Sequence, residues 1–314
     1  LDLRGKVVVV TGGGRGLGFA IANEFARRGS RLALCGRDEL EVACAADELR
    51  RRGAEVFFAA CDVSEGPAVR DFLVQVRARL GPIDVLINNA AECFVGPAVM
   101  LREAEVERAL RNIFWASYHP TMAVLPQMRA RRRGRIVHVT SIGGKVGLPH
   151  MAAYAAGKFA VTGFSETLAA ELVKEGIYVS TVTPPPLRNG AQLASHFGGQ
   201  REQEFAWFAW GLSSRLSAID PRRAARAVVD AAEYGDPERA VSPLSWLLAR
   251  FQGMMPNTAT RTLALVDRVM PAPPPQPTAW LSGADVQAGS GEPALHALGE
   301  TARAHAARYR PLGV

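Results

Sequence analysis

Tyr154-Ala155-Ala156-Gly157-Lys158 opens a helical pattern and sets a phenol and an amine four residues apart, on one helix face. An isolated phenol, with a pKa of about 10, is a poor proton donor or acceptor at neutral pH. An ammonium beside it favours the phenolate and lowers that pKa, each unit of change being worth about 1.4 kcal/mol. The pair therefore suits proton transfer at an alcohol or carbonyl oxygen. Ser141 ends the strand-like run His138-Val139-Thr140-Ser141, with twelve residues between it and the tyrosine. Its hydroxyl could hydrogen-bond the same oxygen.

A second chemistry lies near the start of the chain, in Thr11-Gly12-Gly13-Gly14-Arg15-Gly16-Leu17-Gly18. Glycines between a first strand and a first helix let the backbone turn sharply and approach a pyrophosphate, which then rests on the helix's free N–H groups. The next strand ends in Cys35-Gly36-Arg37, with no carboxylate to grip the ribose hydroxyls of NAD(H). Arg37 and Arg15 can instead clamp a 2′-phosphate, so NADP(H) is the expected cofactor and NAD(H) the less favoured one. Asp38 comes one residue late and reads as the cap of the following helix. Asp62-Val63, just after the third strand pattern, suits an adenine-edge contact, with helix capping as the structural alternative.

These groups need a scaffold, and the first 185 residues alternate short β-branched runs with helical patterns. The expected strands are Val7–Thr11, Arg31–Cys35, Glu55–Cys61, Ile83–Asn88, Arg135–Ser141 and Tyr178–Thr183. Stretches such as Leu17–Arg28, Glu39–Arg52 and Thr162–Lys174 read as helices between them. Strands apolar on both faces and separated by helices predict an α/β doubly wound, Rossmann-type parallel sheet with helices on both faces. Asp220 caps an expected helix over Pro221–Tyr234, and a last short strand is expected near Ala240–Ser242. The catalytic domain is drawn as 1–242, including a mobile aromatic-rich loop over 187–215. A partly helical C-terminal extension, 243–314, follows. It has apolar helical stretches at Trp246–Met255 and Arg261–Met270 and a proline-rich linker over 271–277. From Gly283 onward the Ala/Gly-rich segment is expected to be partly disordered.

Composition excludes several other classes. With 48% hydrophobic and 21% charged residues, the 314-residue chain reads as an ordinary globular protein able to bury a full core. The excess of 37 Lys and Arg over 30 Asp and Glu gives +7, but only Arg129, Arg131, Arg132, Arg133 and Arg135 cluster. So short a run reads as a solvated helix end and turn, and no nucleic-acid partner is expected. Cys35, Cys44, Cys61 and Cys93 lack metal-ligand spacing, which points to no metal and to a reducing, cytoplasmic compartment. No leader pattern precedes the first strand, and no apolar run reaches the roughly 18 residues of a transmembrane helix.

Taken together and in order, the TGxxxGxG loop, Asn88-Asn89-Ala90-Ala91, Ser141 and the YxxxK pattern at Tyr154 and Lys158 resemble the short-chain dehydrogenase/reductase superfamily over about residues 5–240. The resemblance implies hydride transfer between nicotinamide and an alcohol or carbonyl carbon, with Tyr154 as general acid/base. It implies that Lys158 holds the nicotinamide ribose and that Asn112 anchors a proton-relay water. It places Gly12, Arg15, Gly16, Leu17, Gly18, Arg37, Asp62, Val63, Asn88, Ala90, Tyr154, Lys158, Pro184, Leu187 and Asn189 on the cofactor. A homodimer or homotetramer, paired through the helices of Asn112 and Tyr154, is also implied. Two departures stand out. Pro185 replaces the glycine expected after the sixth strand, fixing φ and removing a donor; Asn189 stands where the family has a cofactor-binding Thr. Ala91 in place of the family's glycine is a milder change.

Phe197, Phe205, Trp207, Phe208 and Trp210 lie where a substrate loop belongs. They read either as a lid over an apolar ligand or as packing of the loop against the domain or a second subunit. The leading expectation is a carbonyl reductase or alcohol dehydrogenase for an apolar small molecule. A 3-oxoacyl thioester reductase and a cofactor-binding regulator without turnover are the alternatives.

Overall fold

The computed structural model describes residues 1–311. Ten strands run in chain order: β1 Val7–Thr11, β2 Arg31–Gly36, β3 Val56–Ala60, β4 Val85–Asn88, β5 Phe94–Val95, β6 Gly134–Val139, β7 Ile177–Thr183, β8 His196–Phe197, β9 Glu238–Ala240 and β10 Leu281–Ser282. Seven of them form one parallel sheet in the order β3-β2-β1-β4-β6-β7-β9. The order reverses between β1 and β4, and the crevice at their carboxyl ends is where such sheets take ligands.

The core explains the sequence pattern. All five residues of β1 are buried, and alternate ones face opposite layers. Val8 and Val10 pack with α1 (Gly16–Arg27), α2 (Glu39–Arg51) and α8 (Pro221–Tyr234). Val7 and Val9 pack with α3 (Gly66–Leu80), α5 (Ala116–Ala130) and α6 (Ala152–Leu172). Each such side chain contributes about 2 kcal/mol by leaving water, so a strand lacking polar positions has only one stable place, the middle of a covered sheet. The expected caps form: Asp38 accepts from the Glu41 N–H at 3.1 Å and Asp220 from the Arg222 N–H at 2.8 Å.

Several boundaries differ from expectation. Helix α6 starts at Ala152, ten residues before Thr162, so Tyr154 and Lys158 sit in its first two turns. The last sheet strand is β9, slightly ahead of Ala240–Ser242. Between α4 (Glu103–Leu110) and α5 one turn, Arg111–Trp115, is π-helical, an irregularity that tends to mark functional positions.

The segment 187–215 is built rather than mobile. β8 pairs with both β5 and β10 in a small three-stranded sheet, and α7 covers Arg201–Ser213. Phe197 and Phe205 are fully buried, and Phe208 nearly so, in a cluster with Val95, Met151, Val286 and Leu295. Trp207 is half-buried and Trp210 exposed, so the aromatics chiefly pack this region together. Residues beyond Gly283 are helical, not disordered: α11 spans Gly283–Gly289 and α12 Pro293–Ala307, with the last three positions outside the described residues. Leu295 and Ala302 bury what the composition hid, a narrow apolar face on an alanine-rich helix. α9 (Pro243–Met254) and α10 (Pro256–Asp267) form a helical pair whose Trp246, Leu247, Leu265 and Val266 are exposed. Among the described residues no helix is long and apolar enough to cross a membrane.

The arginine knot is largely committed within the fold. Arg129 pairs with Glu175 at 2.6 Å, Arg131 with Asp84 at 3.2 Å, Arg132 donates to the Lys174 carbonyl, and Arg135 to the Ala232 carbonyl.

Candidate active site

The glycine loop lies at the carboxyl end of β1, and its shape depends on missing side chains. Gly12 and Gly16 have φ of +63° and +55°, where an L side chain is strained. A methyl at Gly18 would stand 1.9 Å from the Gly12 carbonyl oxygen. Leu17 is buried and anchors the first turn of α1 in the core. The loop is tied to the end of β4 through Thr11, whose hydroxyl accepts from the N–H groups of Asn89 and Ala90 at 3.0 and 3.1 Å. The Asn89 amide donates back to the Thr11 carbonyl at 3.1 Å. Asn88, the expected contact residue, points inward instead and donates to Thr121 at 2.9 Å. Strand alternation makes the choice: Asn88 is the last residue of β4, and its side chain falls on the covered face.

Arg15 occupies the exposed position just before α1 without a side-chain capping bond, and its Nε lies 3.3 Å from a carboxylate oxygen of Glu41 in the first turn of α2. Arg37 is exposed at the same end. Asp62 accepts from the Ser64 N–H at 3.0 Å and its hydroxyl at 2.8 Å, so it closes the turn after β3, next to buried Val63. On the far side of the crevice the Pro184 carbonyl accepts from the Ile142 N–H and the Pro186 carbonyl from the Ile219 N–H, each at 3.0 Å. The three prolines thus lack only donors that this turn does not call on. Leu187 bridges to Ile219, and Asn189 reaches back until its amide nitrogen is 3.6 Å from where a Gly16 methyl would be.

Ser141, Tyr154 and Lys158 meet beside this crevice. A methyl at Gly143 would lie 3.1 Å from the Tyr154 ring and 3.7 Å from the Ser141 hydroxyl oxygen, so both groups crowd one spot. The Lys158 ammonium donates to the Val139 carbonyl at 3.0 Å and lies 5.8 Å from the centre of the Tyr154 ring. Burial pushes the Tyr154 phenol above its ordinary pKa; Cys93 adds to the rise and a hydrogen bond with Ser141 opposes it. The direction is thus opposite to the expected lowering by lysine, because the apolar surroundings penalise the phenolate. The same burial holds Lys158 down to about 8, with Cys93 opposing.

Asn112 occupies the π-helical turn, and its amide donates to the Glu92 carboxylate. Glu92 also accepts from Arg108 at 2.6 Å and contacts His196 Nε2 at 2.6 Å. Desolvation raises the Glu92 pKa, but the His196 and Arg108 contacts outweigh it and leave the group at about 2. One carboxylate thus ties the segment after β4, the end of α4 with its π-helical turn, and β8 together. Sequence patterns did not single out Glu92, Cys93, Asn89 or Glu41, because each acts through a partner distant in the chain. Among the described residues no group of three potential metal ligands exists.

The family model described as short chain dehydrogenase matches residues 6–196. A Streptomyces violaceoruber protein named as a granaticin polyketide synthase ketoacyl reductase is 35% identical over 180 residues; the match covers 57% of this chain and 66% of that one, just under two thirds of its length. The 3-ketodihydrosphingosine reductase of Mus musculus is 31% identical over 266 residues, covering 82% of this chain and 78% of the relative. A solved metagenomic short-chain oxidoreductase in complex with NADP has a TM-score of 0.63 at 29% identity, covering 76% of this chain and 98% of the other. A sheet order with its crevice at β1 and β4, and a family match over more than half of the residues, lead to one assignment: the chain belongs to the short-chain dehydrogenases.

Proposed function

We propose that the protein is an NADP(H)-dependent oxidoreductase that reduces a carbonyl group of an apolar substrate, with Tyr154 as the proton donor. The observation carrying this reading is the convergence of Tyr154 and Ser141 beside the glycine-loop crevice, with Lys158 buried behind them. The loop fits a dinucleotide, since Gly12, Gly16 and Gly18 form a cradle that side chains would fill. Gly16, Leu17 and Gly18 would offer backbone N–H groups to the pyrophosphate, Asn189 a side-chain amide, Arg15 and Arg37 a clamp for a 2′-phosphate, and Asp62 and Val63 the adenine edge. When bound, such a cofactor supplies hydride chemistry at the substrate carbon.

The chain's own residues handle the oxygen. Ser141 donates a hydrogen bond to the carbonyl oxygen, and Tyr154 gives that oxygen its proton as charge develops there. Burial keeps the phenol protonated at neutral pH, so it holds the proton to be given but makes the phenolate costly, and the cation behind it must offset that cost. The Lys158 ammonium then stabilises the phenolate left behind and, with Asn112, leads a proton back in. Tyr154, Leu148 and Leu193 all pack at the margin of the buried cluster that holds Met151, an apolar setting that favours an apolar substrate. The ketoacyl reductase name of one relative supports a second reading, a 3-oxoacyl thioester as the substrate.

Titration of the purified protein with NADPH and NADH, followed by nicotinamide fluorescence and then by a panel of apolar ketones and 3-oxoacyl thioesters, tests the reading. Saturable NADPH binding without turnover on any member would move the protein to a cofactor-binding regulator.

Two further results are expected. The reductive kcat/KM should hold steady from about pH 6 to 7 and fall on the alkaline side as Lys158, held near pH 8, loses its charge; a flat profile to pH 10 would count against that role for the lysine. Glu41→Gln should raise the NADPH-over-NADH preference several-fold. It removes the anion that holds Arg15 and would repel a 2′-phosphate, an effect of about 1 kcal/mol for a partly exposed pair. An unchanged preference in the two titrations would remove Arg15 from the 2′-phosphate site.

A further inference from the structure

The end of the chain returns to the glycine loop. After α12 the residues Arg308-Tyr309-Arg310 form a strap, and the Tyr309 carbonyl accepts from the Gly16 N–H at 2.8 Å. Gly16 opens α1, and its N–H is one of the donors that a helix start leaves for an outside acceptor. The strap is anchored on three sides. The Tyr309 ring is 5% exposed and packs in the core layer that includes Leu17 and Val182, with Leu187 and Ile219 at its margin. Its hydroxyl donates to Asp220 at 2.8 Å. Upstream, α12 lies so close to the loop after β7 that a methyl at Gly190 would stand 2.6 Å from the Ala302 carbonyl oxygen. Downstream, the charge of Arg310 acts on Glu41, the same carboxylate that holds Arg15.

A backbone N–H directed at one carbonyl is not free for a phosphate oxygen. We propose that this strap is an internal competitor of the dinucleotide: Tyr309 holds it on the first turn of α1, and the cofactor enters only as the strap leaves. The inference rests on the cofactor reading of the glycine loop. It adds a specific consequence, because Gly16 would face the pyrophosphate, which NADPH and NADH share. Release of the Gly16 N–H must therefore favour both cofactors, with any difference between them set by the loss of the Arg310 charge from beside Glu41, unlike a change at Arg15 or Glu41, which acts on the 2′-phosphate alone.

The test uses the full chain and its Tyr309→Ala and Tyr309→Phe variants, with melting curves to establish folding. NADPH and NADH affinities are measured by fluorescence titration, and trypsin cleavage after Arg308 by mass spectrometry, with and without NADPH. Tyr309→Ala should tighten both cofactors at least about tenfold. Tyr309→Phe, which loses only the bond to Asp220, should tighten them less. In the unaltered chain NADPH should speed cleavage at the strap. Unchanged or weaker affinities in Tyr309→Ala, or protection of the strap by NADPH, would overturn the proposal while leaving the cofactor reading intact. If Tyr309→Ala does not fold, the phenylalanine variant and the digestion of the unaltered chain decide alone. Failure of every form to bind either cofactor would instead remove the cofactor reading, and the competitor with it.

Discussion

Tyr154→Phe is expected to lower the kcat of carbonyl reduction at least about a hundredfold, while the Kd for NADPH stays within about twofold. The substitution keeps the half-buried ring, which crowds Gly143 at the margin of the cluster that holds Met151, and deletes only the hydroxyl whose proton the reaction needs. A hundredfold loss corresponds to about 2.7 kcal/mol in the barrier, within the range general acid–base groups supply. Because no phenolate then forms for Lys158 to stabilise, the residual rate should also be less sensitive to pH than that of the unaltered protein. Steady-state kinetics and a fluorescence titration on the same preparation separate the two effects. A variant with near-normal turnover would sink the role given to Tyr154.

Gly18→Ala should cost at least about a hundredfold in affinity for NADPH and NADH alike and lower the melting temperature. The new methyl would lie 1.9 Å from the Gly12 carbonyl oxygen and 2.8 Å from the Asn89 amide. The nearest obstacle is backbone, which cannot swing aside as a side-chain end can, so the turn between β1 and α1 must open. Overpacking of this kind costs about 1–3 kcal/mol, and here the loss falls on the surface meant to approach the pyrophosphate. Titrations and thermal melts check both parts; intact binding would mean that the cradle is not where the dinucleotide rests.

The strap changes how cofactor affinity in this chain should be understood. A glycine loop of the expected shape need not imply tight binding, because the Gly16 N–H already has an acceptor in the Tyr309 carbonyl. Weak NADPH binding by the unaltered protein would therefore point first to Tyr309 and Asp220. The Pro184–Pro186 turn is a poorer explanation, since the carbonyls of Pro184 and Pro186 are both used and the missing donors leave no gap in the turn.

What the chain order alone determined is the local part of this molecule. Val7–Thr11 could only be a covered strand, because five consecutive buried positions leave no face for water. The glycines that follow dictated a tight turn into a helix, and four-residue spacing put Tyr154 and Lys158 on one face. Those readings depend on neighbours within a few residues, which is the range over which period and backbone sterics act. Tertiary structure decided whatever depends on partners far apart in sequence. Burial, and not the nearby ammonium, sets the direction of the Tyr154 shift. Asn89 rather than Asn88 faces the glycine loop, because the end of β4 is oriented by Thr11 and Thr121 from other elements. Glu92 gathers Asn112, Arg108 and His196 across as many as 104 positions. The alanine-rich C-terminus, too weakly patterned to declare a helix face, becomes ordered only because α7 and the loop at Gly190 offer it a surface. Its last turns then bring Tyr309 to a helix start nearly three hundred residues earlier, a contact that no periodicity encodes.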